Sequence, residues 1–83
     1  MMTASSSAIA QADVLVHVND ALDAAAIERI SAALQRIDGV GAVGLAPAGE
    51  HLVRVSYDPS RTRSARLLEA VTALGHRAQL VGL

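Results

Sequence analysis

Residues 13–39, DVLVHVNDALDAAAIERISAALQRIDG, decide the fold because a strand pattern changes there into a helix pattern. Val14, Val16 and Val18 occupy every second position, which is typical of a strand covered on one face. After Asp23 the apolar residues recur at steps of three and four, which predicts an amphipathic helix. Its apolar stripe consists of Ile27, Ile30, Leu34 and Ile37.

Both ends of this helix carry the expected signals. The carboxylate of Asp23 can accept hydrogen bonds from the free amides of the first turn, so we expect Asp23 to be the N-cap. Gly39 follows the last residue of the stripe and supplies the left-handed exit that ends many helices. The sequence therefore predicts a strand followed by a complete helix.

A hairpin follows the first helix. Residues 40–46 predict a strand, and the proline in the turn at residues 47–49 suits an edge strand. Residues 51–57 predict the returning strand, which ends at Asp58 and Pro59. The residues expected to face inward are Val43, Leu45, Val53 and Val55.

A second helix and a last strand complete the chain. Thr62 is the expected N-cap of the helix, and Gly75 is its expected end. The apolar stripe of this helix consists of Leu67, Leu68, Val71 and Leu74. Residues 77–81 predict the last strand, with Ala78 and Leu80 facing the core.

The order β-α-β-β-α-β predicts an α+β, ferredoxin-like fold. Two right-handed β-α-β halves joined by a hairpin form one antiparallel sheet of four strands in the order 4-1-3-2, with both helices on one face. We expect this domain to cover residues 13–83, after a disordered tail at residues 1–12. In this topology Asp23, His51 and His76 share one end of the sheet.

Composition excludes several classes of function. The 83 residues contain no cysteine, which rules out disulfides and cysteinyl metal sites. A net charge of −1 gives no field that would gather nucleic acid. No apolar stretch approaches the roughly 20 residues that span a bilayer, so no membrane insertion is expected. The N-terminus lacks the basic segment of a secretory signal, and the cytoplasm is the expected location.

Three short motifs resemble those of the heavy-metal-associated (HMA) domain family. They are Ile37-Asp38-Gly39-Val40, Tyr57-Asp58-Pro59 and Gly75-His76-Arg77-Ala78, similar to the family's L-D-G-V, Y-D-P and G-Y-x-A. The resemblance implies the ferredoxin-like fold and a setting in metal transport or homeostasis. The family's M-x-C-x-x-C motif would fall with its methionine at Ala21 and its cysteines at Asp23 and Ala26, so thiolate transfer of copper(I) is not expected.

Two sets of residues are candidates for function. Asp23 and His76, joined by Asp20, His51 or His17, offer carboxylate and imidazole ligands for a divalent metal ion at the family's loop. The ordinary alternative is that Asp23 is only a helix cap, and no cofactor is required. The sheet face away from the helices carries the second set, a candidate interface. Its members are Leu15, His17, Leu52, Arg54 and Val81.

Arginines cluster at the start of the second helix. Arg61, Arg63 and Arg66 lie close together, and positive charge is unfavourable at a helix N-terminus. Such a run is usually a solvated face, and it indicates an acidic partner only weakly.

We expect a small, non-enzymatic binding module associated with metal-cation handling. Its expected partner is a metal transporter, a co-encoded factor or a second copy of the chain. The open sheet face lacks the aromatic residues that stack RNA bases, and the first loop is acidic where a catalytic phosphate loop would bind an anion. Two alternatives stay open: metal binding through His and Asp ligands, and an ACT-like sensor of small molecules.

Overall fold

A computed structural model describes residues 11–20, 22–46 and 51–81. The elements in chain order are β1 (Ala12–Val18), α1 (Ala24–Gln35), β2 (Val40–Leu45), β3 (Leu52–Tyr57), α2 (Ser64–Thr72) and β4 (Ala78–Val81). The sheet order is β2-β3-β1-β4, which confirms the predicted ferredoxin-like topology. Residues 1–10 of the predicted tail and the predicted turn at 47–49 lie outside the described residues, whereas Ala12 already belongs to β1.

All strand pairs are antiparallel, and β1 lies at the centre of the sheet. It pairs with β3 through Val16 and Val53, and with β4 through Val16 and Leu80. The pairing of β2 with β3 is interrupted by an irregularity between Val40 and Val43. The sheet therefore has two edges, formed by β2 and β4.

The core lies between the sheet and the two helices. Val16, Val55, Leu34, Leu67 and Val71 are completely buried. The remaining members of this core are Val14, Val18, Ile30 and Val53. Because β1 and β3 send alternate valines to the side that α1 and α2 cover, both helices lie on one face, as predicted. With no phenylalanine or tryptophan in the chain, aliphatic residues fill this core.

Three leucines that the sequence predicts in the core are exposed. Leu45, Leu74 and Leu80 have 49%, 41% and 36% of their surface accessible. Leu45 lies on edge strand β2 and Leu80 on edge strand β4, and Leu74 follows the last turn of α2. Leu45 and Leu80 do face the helix side, as predicted, because they pair with the buried Val53 and Val16. The expected burial of the three leucines was wrong, because two short helices cover the middle of a four-stranded sheet better than its margins.

One of the two predicted N-caps is confirmed, and both predicted C-terminal glycines are left-handed, although α1 ends at Gln35 and α2 at Thr72, a few residues before them. Asp23 caps α1, and its carboxylate accepts a hydrogen bond of 2.8 Å from the Ala26 amide. Gly39 and Gly75 adopt φ angles of +100° and +97°, the left-handed region expected for them. The assignment of Thr62 as N-cap was wrong, because its amide donates to the Asp58 carbonyl and α2 is preceded by Arg63, which makes no side-chain cap.

Candidate functional site

Three chain segments meet at the end of the sheet where β1 leads into α1. The amide of Val18 donates to the His51 carbonyl at 2.9 Å, and that of Asn19 donates to the Arg77 carbonyl at 2.7 Å. These bonds bring the end of β1 beside the starts of β3 and β4. The loop that carries the family's metal ligands therefore lies near His51 and His76.

Asp20 is the acidic residue that ties this end together. Its Oδ2 accepts a hydrogen bond of 2.9 Å from the Arg77 amide and lies 3.4 Å from Nδ1 of His76. The Arg77 hydrogen bond is the main reason that the pKa of Asp20 lies below its ordinary value, and His76 adds to this. His76 was expected beside Asp23, with Asp20 as a further ligand; the structure brings His76 to Asp20, whereas Asp23 caps α1.

The two positions that correspond to the family's cysteines have structural roles here. Asp23 uses its carboxylate to cap α1, as described above. Ala26 is 4% exposed, so its methyl group packs inside the domain. An engaged carboxylate and a buried methyl group replace the two thiols, and neither is a soft donor.

His17 and His51 lie next to each other at the same end of the sheet. Their ring centroids are 6.2 Å apart, and the planes are inclined by 57°. Nδ1 of His17 is 2.8 Å from Oδ1 of Asn19, a contact that orients the ring. Nδ1 of His51 is buried and has no hydrogen-bond partner among the described residues.

The four predicted metal ligands therefore separate into smaller groups. His17 lies by His51, His76 lies by Asp20, and Asp23 caps its helix. Within residues 11–20, 22–46 and 51–81, the structure brings no three His, Cys, Asp or Glu side chains close enough to hold a metal ion. A site completed by those four residues stays a prediction.

The open face of the sheet carries the second predicted set. Leu15 pairs with Arg54 on one side and with Val81 on the other, and His17 pairs with Leu52. All of these except the exposed Arg54 are half-buried. The five residues therefore form one continuous patch, which we call the open-face patch.

Asp13 borders the open-face patch and was missing from the predicted set. Its carboxylate accepts hydrogen bonds from the Ser56 hydroxyl at 2.6 Å and from Arg54 at 2.9 Å. The Ser56 bond is the main cause, and the Arg54 bond the next, of a pKa for Asp13 below its ordinary value. The period of two would have placed Asp13 on the same face as Leu15.

The fold matches solved structures, one of which was determined with copper(I) bound. The N-terminal domain of a potential copper-translocating P-type ATPase from Bacillus subtilis, determined in its Cu(I)-loaded state, is 30% identical, with a TM-score of 0.76. The match covers 86% of this chain and 88% of that domain. The chain belongs to the HMA domain family. Comparison of this HMA domain with family models and with curated proteins gives no match.

Two further structures match this HMA domain in fold. The copper-binding domain of HMA7, a P-type ATPase, is 23% identical, with a TM-score of 0.75 and coverage of 84% of this chain and 93% of that one. Oxidized MerP from Ralstonia metallidurans CH34 is 20% identical, with a TM-score of 0.74 and coverage of 86% and 97%. Across the part of the HMA domain that the structure describes, neither helix has the length and apolar character needed to cross a membrane.

Proposed function

We propose that this HMA domain is a non-enzymatic binding module of metal-cation transport or homeostasis that acts by docking to another protein. The observation that carries the proposal is an HMA scaffold without a single cysteine. Copper(I) selects thiolate and thioether ligands, and this end of the sheet offers carboxylate and imidazole instead. Direct thiolate exchange of copper is therefore not the function that we propose.

The open-face patch is the surface proposed for docking. The other face of the sheet is used by the domain's own core, whereas Leu15, Leu52 and Val81 keep part of their apolar surface in contact with water. Apolar side chains grouped in this way favour burial against a partner. The ion pair of Arg54 with Asp13 adds polar groups beside these residues, which give the contact a preferred orientation.

The residue types of the open-face patch favour a protein as the partner. The proposed occupant is a protein: a metal transporter, a co-encoded factor or a second copy of this chain. The open-face patch contains no Phe, Tyr or Trp on which a nucleobase would stack, so a nucleic acid is not proposed. We place this docking in the cytoplasm.

A pair of matched variants tests the proposal. Leu15→Asp puts a charge in the open-face patch, and Leu74→Asp puts the same charge on an exposed leucine away from the sheet. We expect sedimentation equilibrium, or binding to the soluble domains of a co-encoded metal transporter, to show association that Leu15→Asp abolishes and Leu74→Asp retains. Equal association of both variants, or a monomer that binds none of these domains, would refute the proposal.

Binding of a divalent metal by His and Asp ligands is the second candidate. Its support is the proximity of His17 to His51 and of His76 to Asp20 at one end of the sheet. Imidazole and carboxylate together suit zinc, nickel and iron(II). Elemental analysis of untagged protein prepared without chelator tests this candidate. One equivalent of metal that the double variant His51→Ala/His76→Ala fails to retain supports it, and metal-free protein contradicts it.

A further inference from the structure

A groove lined by four arginines lies at the end of the domain opposite the metal loop. It has a volume of about 580 Å³ and runs between the end of α1 and the start of α2. Its charged members are Arg36, Arg61, Arg63, Arg66 and Asp38, and its apolar members include Ile37 and Pro59. Arg36 joins three arginines that are neighbours in sequence, so only the fold completes this arginine groove.

Hydrogen bonds at the base of the groove hold its two walls together. The Asp58 amide donates to the Gly39 carbonyl at 2.7 Å, which ties the exit of α1 to the turn before α2. The Asp58 carbonyl then accepts from the amides of Arg61 and Thr62 at 3.0 and 3.1 Å. The arginines therefore project from a backbone whose position is well defined.

Positive charge in the groove exceeds the negative charge available within it. Arg61 pairs with Asp38 at 3.1 Å and, outside the lining, with Asp58 at 3.8 Å. Arg66 pairs with Glu69 at 3.4 Å, also outside the lining. Arg36 and Arg63 form no ion pair with any described residue. These two guanidinium groups are free to receive an external anion.

The start of α2 adds to the positive electrostatic potential of the arginine groove. Arg63 precedes the helix without capping it, and no acidic residue occupies the first turn. The positive end of the helix dipole thus meets positive side chains, an arrangement that costs free energy until a negative group approaches.

We propose that the arginine groove binds a carboxylate-rich peptide segment of a partner protein. The planar guanidinium group matches a carboxylate with two parallel hydrogen bonds. Four arginines distributed over a groove of this size exceed what one small ion can contact, whereas successive acidic side chains of a peptide reach several of them. The lining has no aromatic residue to stack a nucleobase, which disfavours a nucleic acid.

Fluorescence anisotropy with labelled octaglutamate tests this proposal on the full chain. We expect binding that weakens as salt is raised above about 50 mM, because the ion pairs are exposed to solvent. Arg36→Gln/Arg63→Gln should weaken binding about fivefold, since each exposed ion pair contributes modestly. The matched control Arg29→Gln/Arg77→Gln removes the same charge elsewhere and should change affinity by less than about twofold.

Two further variants sharpen the test. Asp38→Asn removes the one acid of the lining and should strengthen octaglutamate binding. Leu15→Asp, in the open-face patch, should bind the peptide like wild type, which separates this proposal from the docking function above. Circular dichroism confirms that each variant is folded.

Several results would overturn the proposal. Equal losses of octaglutamate affinity in the two double-arginine variants would mean that binding depends only on the net charge of the domain and not on the groove. Tighter binding of oligothymidylate than of octaglutamate would assign the groove to a nucleic acid, and displacement of the peptide by an equimolar amount of inorganic pyrophosphate would assign it to a small phosphate compound. An absence of octaglutamate binding at low salt would refute the proposal that the arginine groove binds an acidic peptide.

Discussion

Replacing Gly39 with alanine should destabilise this domain far more than the same change at Gly75. Both glycines lie in the turn that follows a helix and have nearly the same positive φ, +100° and +97°. A Cβ atom built on Gly39 would lie 2.7 Å from Cβ of Arg61, whereas one on Gly75 would meet nothing within 4 Å. Both substitutions therefore place an L-residue at an unfavourable positive φ, but only Gly39→Ala also creates a steric clash.

The magnitude follows from these two terms. An L-residue in the left-handed region costs roughly 1–2 kcal/mol, and this applies to both variants. The contact with Arg61 forces the turn before α2 to move, because a Cβ atom cannot rotate away, and such overpacking costs about 1–3 kcal/mol more. Gly39→Ala should therefore lose roughly 2–5 kcal/mol, a large share of the stability of so small a domain.

Urea unfolding followed by far-ultraviolet circular dichroism measures these differences, since the chain has one tyrosine and no tryptophan. Gly44→Ala provides the baseline, because its φ is not positive and its Cβ would meet nothing within 4 Å. We expect losses of unfolding free energy in the order Gly39, Gly75, Gly44. If the unfolding free energies of Gly39→Ala and Gly75→Ala differed by less than about 0.5 kcal/mol, the close contact of Gly39 with Arg61 would have no effect on stability, which would refute the prediction.

Three other changes test the core, the cap and the electrostatics of the domain. Leu34→Ala should lower the unfolding free energy by about 2–5 kcal/mol, and Leu45→Ala by less than about 1 kcal/mol, in the same urea assay. Asp23→Ala should lower the unfolding free energy by about 1 kcal/mol. Asp23→Asn should lower it much less, because an amide oxygen still caps the helix. The pKa of Asp13 is lowered by folding, so its contribution is complete above the unfolded value of about 3.9 and is lost as pH falls through the folded value. The stability difference between wild type and Asp13→Asn should shrink in urea titrations on acidification to about pH 2, and a constant difference would contradict this assignment.

Local signals in the sequence predicted most of the fold. The alternation of Val14, Val16 and Val18 and the stripe around Ile30 depend on the periods of strand and helix, which any short segment reveals. Asp23, Gly39 and Gly75 act on amides or dihedral angles within a few residues of themselves. These features need no knowledge of the rest of the chain, and the structure agrees with each of them.

The candidate site was only partly predictable. The period of two correctly placed Leu15, His17 and their neighbours on the open face. It did not show that Asp13 is held by Ser56 and Arg54, because those residues lie more than 40 positions away and meet it only through the register of β1 and β3. His76 lies beside Asp20 because the segment after β1 and the segments before β3 and β4 meet at one end of the sheet.

The sequence by itself determined the order of the elements, the cap of α1, the aliphatic core and the loss of the thiolate ligands, because these depend on residue type and short-range periodicity. Only the tertiary structure decided that Leu45, Leu74 and Leu80 remain exposed, since exposure at a sheet margin depends on how far the helices extend. Tertiary structure also brought Arg36 into one groove with the arginines of α2. Side chains distant in sequence become neighbours only when the chain packs.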